Sequence, residues 1–387
     1  GWPSQRLKQH GGRRVGWTIP LEEFPQSFQN DVKRWLSHLA GDDPLADDAV
    51  PCPLRPATLK HRAFQIRMFA SALVRRNVPL EQITGLDILV EVNNFRETLR
   101  FMIDRQGGTL TEAIYNCATA LKAVARHHVK IDPAHLEQLQ RSCTRIKVKN
   151  RGLTEKNRRR LRQFDDSLNI SELMHLPERL EQLAKRTKGR KAAVIMQLAV
   201  AIEILTMAPI RIGNLTALKL GETLFWTRPG RKGRLLLTFP AEDVKNDALI
   251  EFDIPTESTK LIERYLDNYR SLLFDDPGDW LFPGRNGRHK CEGGLGPQIK
   301  KTIYKHTGLL VNAHLMRHIG AKIYLDEHPG SFEVIRRLLG HSSMDTTTAY
   351  YTGFESKAAI KHFDDVILAE RRKPVSGKVR VTRRKKS

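Results

Sequence analysis

The 387-residue chain holds only four cysteines, Cys52, Cys117, Cys143 and Cys291, with no Cys-x-x-Cys pair among them. That scarcity excludes a disulfide framework and a cysteine zinc site, and it suits a reducing cytosol. No signal-peptide pattern opens the sequence. The most apolar run, AAVIMQLAVAIEILTMAPI, contains Gln197 and Glu203 and is flanked by basic residues, so it reads as a buried core helix and not a membrane span. Acidic residues are short as well. Asp and Glu total 43 against 65 Lys and Arg, a net charge of +22 and a pI near 10.0. With 40% hydrophobic residues and a mean hydropathy of −0.43, the composition is that of a soluble protein whose partner is a polyanion. The expectation is a cytoplasmic protein with nucleic acid as partner and no membrane span.

What is present divides the chain. From Pro56 to about Asp132 the pattern is helical: PATLKHRAFQIRMFASALVRR spaces Phe64, Ile66, Phe69 and Leu73 by turns, and TLTEAIYNCATALKAVARHH begins with Thr109 or Thr111 as N-cap. Residues 143–166 are nearly devoid of acid in CTRIKVKNRGLTEKNRRRLRQ and read as an extended basic linker. A second domain is expected over 167–369. Within it Pro209 breaks a helix, GRLLLTFP and ALIEFDIP alternate like strands around AEDVKND, and the remainder is helical. Residues 370–387 form a basic tail without core-forming residues. The fold class is mainly α: a helical N-terminal domain over 1–142, then a mostly helical α+β domain with a small antiparallel sheet.

The segment NAHLMRHIGAKIYL carries the chemistry. His314 and Arg317 share a helix face, and His318 lies one turn beyond His314. A zinc-binding helix would read His-Glu-x-x-His, with glutamate as base; a cation inside the motif opposes a metal. Arginine and histidine together suit an anion, the fork binding non-bridging phosphate oxygens while the imidazole exchanges a proton.

Arg211 after the helix break, then His314-x-x-Arg317-His318, then Leu339-Gly340-His341, then a tyrosine, in order over about 140 residues, resembles the motif series of the tyrosine recombinase (phage integrase) family. The resemblance implies that tyrosine attacks a phosphodiester and stays joined to the 3′-phosphate until another strand displaces it. Arg211 and Arg317 would neutralise the pentacoordinate state, each contributing ~3 kcal/mol. Ionising a phenol of pKa about 10 at neutral pH costs roughly 4 kcal/mol, and His314 is the candidate base. His341 would donate to phosphate. Lys245, in the turn between the predicted strands, would protonate the leaving 5′-oxygen, with Lys232 its alternative. The cationic side chains do the charge work, so no cofactor or metal is implied. The N-terminal domain would be the core-binding domain. The active form would be a homotetramer holding two duplexes, with residues 356–369 docking on a neighbouring subunit.

Two departures matter. The commonest family spacing puts the nucleophile nine residues after the histidine, at Tyr350, but Tyr350-Tyr351-Thr352-Gly353 resembles the aromatic-Tyr-small-Gly form, which favours Tyr351 with Tyr350 as alternative. The family often carries an acid three positions after the first arginine; Asn214 stands there. His318 reads as a supporting histidine. The competing functions are a type IB topoisomerase-like DNA-relaxing enzyme and a DNA-binding protein that has lost catalysis.

Overall fold

The computed structural model describes residues 16–43, 45, 49–148, 152–239, 250–341 and 343–373, the side chains of 250, 346 and 352–362 excepted. The chain divides into two compact units, 1–150 and 151–387.

The first unit is helical. Its helices are α1 (Gln26–Ala40), α2 (Pro56–Val74), α3 (Leu86–Val90), α4 (Val92–Asp104), α5 (Glu112–Val124) and α6 (Pro133–Arg145). Their limits follow local chemistry. Gly41 takes the left-handed conformation that ends α1, the Thr111 hydroxyl accepts from Ile114 N at the start of α5, and Asp132 caps α6 ahead of Pro133. Phe28, Trp35, Ile66, Phe69, Leu73 and Phe95 are buried in one core, with the Phe69 and Phe95 rings 5.4 Å apart. Phe64 does not join them. It is 43% exposed, and the Arg67 guanidinium lies over its ring.

The second unit starts earlier than the charge pattern suggests. Residues expected in an extended linker form α7 (Glu155–Leu161), because Thr154 caps it and Leu161 and Phe164 are buried in the unit's core. Then follow α8 (Ser167–Met174), α9 (Leu176–Lys185) and α10 (Gly189–Met207). α10 is apolar on nearly every side and runs through the core, against α9, α12 (Thr256–Asn268), α13 (Glu292–Thr307) and α14 (Ala313–Glu327). Between α11 (Ile212–Thr216) and α12 lies an antiparallel sheet of β1 (Leu224–Arg228), β2 (Lys232–Phe239) and β3 (Ile250–Ile254), with β2 central. Leu235, Leu237 and Phe239 alternate into the core from β2, while Arg234 on the other face pairs with Asp253 of β3. The two expected strands are β2 and β3; β1 adds a third that the sequence reading did not contain. α15 (Phe332–Leu339) ends on left-handed Gly340, and α16 (Met344–Arg372) joins into one helix two segments that the sequence suggested separately. No helix among the described residues is long and apolar enough to cross a membrane.

Candidate active site

The site is built where four chain segments of the second unit meet. α10 cannot run through Pro209, so the chain turns at Ala208 and restarts with Arg211 as the extended residue before α11. This exposes the Arg211 guanidinium to the start of α14, whose first turn is fixed by the Asn312 carboxamide accepting from Leu315 N at 2.8 Å.

Arg317, 4% exposed, is the hub. Its Nη1 donates to the carbonyl of Pro209, and its Nη2 donates to the carbonyl of Leu339 at 2.6 Å. One guanidinium thereby holds the backbone two residues before Arg211 and two residues before His341. Gly340 turns the chain so that His341 follows, its Nδ1 2.9 Å from the Thr347 hydroxyl. Thr347 is fully buried in the first turn of α16 and escaped the sequence reading, since nothing distinguishes it among three consecutive threonines.

His314 and His318 stand one turn apart with ring planes nearly perpendicular and their Nε2 atoms 3.3 Å from each other. His318, also 4% exposed, places its Nδ1 2.7 Å from the Tyr351 hydroxyl and stacks against Tyr350 at 5.6 Å. The two tyrosines are in different surroundings. Tyr351 is fully buried with Ala321, Leu325, Ile335 and Leu339, in a small core formed by α14, α15 and α16. Tyr350 is only half-buried, on the seam between that core and the main one. Gly152 approaches the same helix turn closely: a Cβ on it would stand 2.0 Å from the Ala349 carbonyl oxygen, and its φ of +69° favours glycine.

The electrostatics are one-sided. No carboxylate pairs with Arg211 or Arg317 among the described residues, and Arg211 Nη1 is buried without a hydrogen-bond partner there. Burial lowers the Arg211 pKa; burial and the neighbouring Arg211 lower that of Arg317 to about 10. Burial first, then Arg317 and Arg211, push His314 down and His341 to about 4. Burial and the cations around it push His318 to about 3. The imidazoles are therefore neutral at physiological pH. Burial raises the Tyr351 phenol, a change that Arg317 opposes.

The arrangement thus brings together Arg211, His314, Arg317, His341, Tyr350 and Tyr351, with His318 at their centre. Lys245 lies outside the described residues. Lys232 is exposed at the start of β2, opposite Arg228. Asn214 is one turn beyond Arg211, its Nδ2 buried without a partner among the described residues.

Residues 169–357 match the phage integrase family. Over 96 residues the chain is 33% identical to the tyrosine recombinase XerD of Pseudomonas aeruginosa; that stretch is 24% of this chain and covers about a third, 32%, of the relative's length. Among solved structures, the site-specific recombinase XerH bound to its palindromic difH substrate is 15% identical, with a TM-score of 0.46 over 92% of this chain and 98% of that one. The Tn1549 transposon integrase in complex with transposon right-end DNA is 16% identical, with a TM-score of 0.46 over 80% and 95%.

Proposed function

From the match of residues 169–357 to the phage integrase family, we propose that the chain is a site-specific DNA recombinase of that family that cuts and rejoins strands through a covalent 3′-phosphotyrosyl intermediate, in the service of a mobile genetic element. The observation that carries this reading is a pair of guanidiniums, Arg317 buried and Arg211 half-buried, with no carboxylate counter-ion among the described residues, surrounded by neutral imidazoles and two phenols. A buried cation left without an internal partner is costly unless an anion completes it. A DNA phosphate supplies that anion, and its charge grows as the phenol attacks.

In this mechanism Arg211 and Arg317 donate to the non-bridging oxygens, removal of either costing about 10²- to 10³-fold in rate. The imidazole of His341, steadied by Thr347, donates a further hydrogen bond. His314, neutral at pH 7, takes the phenolic proton. Lys245, on the segment between β2 and β3, protonates the leaving 5′-oxygen. The nucleophile is Tyr350 in preference to Tyr351. A hydroxyl fully enclosed and bonded to His318 cannot approach a duplex without dismantling its core, whereas Tyr350 is half-exposed on the neighbouring helix position, about 100° away. The spacing of nine residues from His341 supports the same choice.

The net charge of +22 supports double-stranded DNA as partner, with the helical first unit as a second DNA-binding body. The exposed Phe363, Val366, Ile367 and Leu368 on α16 support contact with a neighbouring subunit in a synaptic homotetramer. The protein then acts at the nucleoid.

The test uses duplexes selected from a random library for tight binding and nicked beside the bound site, so that a cleaved strand cannot be rejoined. Incubation in EDTA is expected to give a denaturant-resistant protein–DNA adduct that Tyr350→Phe abolishes. Absence of any adduct from the wild type refutes the activity; an adduct surviving Tyr350→Phe refutes the nucleophile.

A further inference from the structure

Resting on the reading of Tyr350 as nucleophile and His314 as base, we propose that Tyr351 and His318 are positioning residues: a buried hydrogen-bond chain that keeps the His314 proton on Nε2 and leaves the Nδ1 lone pair free for the attacking phenol. The hydroxyl of Tyr351 is the first reason. The ring fills an apolar pocket of Ala321, Leu325, Ile335 and Leu339, which phenylalanine would fill as well. An enclosed hydroxyl is unfavourable unless bonded, and this one sits 2.7 Å from His318 Nδ1.

The second reason is the direction the chain must take. His318 is almost fully enclosed between His314, Arg317, His341 and the tyrosine pair, and it stays neutral there. A neutral imidazole has one N–H and one lone pair. Its Nε2 meets His314 Nε2 at 3.3 Å, so one ring donates and the other accepts. If His318 donated, His314 would carry its proton on Nδ1 and have no lone pair for the reaction. If His314 donates, His318 Nε2 accepts, and its own hydrogen sits on Nδ1, aimed at the Tyr351 oxygen. Only the second arrangement leaves a base at 314, and it requires an acceptor at 351. Phenylalanine at that position removes the acceptor; tyrosine supplies it. The adjacent tyrosines divide the work, one phenol turned inward to orient, the other outward to attack.

The experiment reads the tautomer directly. The full chain, labelled with ¹⁵N at its histidine rings and with the His314 signals identified by their loss in His314→Gln, is expected to show His314 protonated on Nε2. In Tyr351→Phe the His314 signals shift towards a mixture of tautomers. Adduct formation on the nicked duplex slows by at least about tenfold but is not abolished. Combining Tyr351→Phe with His318→Phe is no slower than His318→Phe alone, as expected of groups acting in series. A wild-type His314 protonated on Nδ1 overturns the proposal without any variant having to fold. So does a tautomer unmoved by Tyr351→Phe, or single losses that multiply in the double variant. Loss of the adduct in Tyr351→Phe with survival in Tyr350→Phe overturns instead the nucleophile assignment beneath it.

Discussion

Two cations on α14, five residues apart, are equally buried and treated oppositely. Arg317 and Lys322 are each 4% exposed. Lys322 Nζ meets two carboxylates, Asp165 at 3.2 Å and Asp326 one turn along the helix. Arg317 meets two backbone carbonyls and, among the described residues, no carboxylate. Carbonyl dipoles orient a guanidinium without cancelling its charge. The lysine is a structural cation that carries its counter-ions with it, tying α7's neighbourhood to α14. The arginine is kept charged, rigid and uncompensated beside Arg211, as a site for an external anion requires.

Arg317→Ala should show the largest effect. Adduct formation is expected to fall by about 10³-fold or more, and the carbonyls of Pro209 and Leu339 lose their donors. Arg317→Lys separates the two roles: charge is retained but the fork that spans both carbonyls is lost, so cleavage should stay strongly impaired. Equal activity in Arg317→Lys and wild type would erase the distinction between a clamp and a mere positive charge. Single-turnover cleavage of the nicked duplex measures both.

The cationic half of the site should also set the response to acid. For His318 the folded pKa of about 3 lies below the ordinary 6.5, so the unfolded chain binds the extra proton first. Stability therefore falls as pH drops through 6.5 towards 3, and it is fully restored above 6.5. At about 1.4 kcal/mol per unit of depression, His318 alone withdraws on the order of 3 kcal/mol between pH 6.5 and 4. His341 adds to the loss over a window from 6.5 to about 4. Urea midpoints measured at pH 7 and 4.5 should separate widely, and His318→Asn should narrow the gap; an unchanged gap would mean that His318 is not held neutral by its surroundings.

Lys322→Met gives the opposite signature to Arg317→Ala. Asp165 and Asp326 are left without their cation, but both are about one-third exposed, so water offsets part of the loss and roughly 1–2 kcal/mol of stability should go. Cleavage per folded molecule should be unaltered. A cleavage defect as large as that of Arg317→Ala, at full stability, would show that both ends of α14 serve the reaction.

The guanidiniums and imidazoles were legible in the sequence because their residue types suit an anion and their order resembles the family's motif series. It was far less informative about what holds them. Arg317's carbonyl partners belong to Pro209 and Leu339, whose side chains carry no sign of the contact. Tyr350 and Tyr351 differ by a rotation about the helix axis, and which one turns inward is settled by Leu325, Ile335 and Leu339 packing from other segments. The arginine-rich stretch after Gly152 reads as linker by charge, yet Leu161 and Phe164 suffice to anchor it. Gly152 itself matters through the backbone of α16, nearly 200 residues away in sequence. Residue chemistry is local and was readable; enclosure and register are tertiary and were not.

The smallest expected effect tests the contrast most directly, since it adds the missing counter-ion and changes no residue. Inorganic phosphate should bind between Arg211 and Arg317 and stabilise the fold. At ten times its Kd the gain is about 1.4 kcal/mol, a rise in Tm of roughly 3–6 °C for a unit of this size. Chloride at equal ionic strength controls for general screening, which acts on surface pairs such as Arg234–Asp253 and not on an enclosed one. The rise should vanish in Arg211→Ala and persist in Lys322→Met, because the lysine already has its carboxylates. A rise that survives Arg211→Ala would place the bound anion elsewhere on this basic surface, and the uncompensated pair would then lose its claim to be a phosphate site.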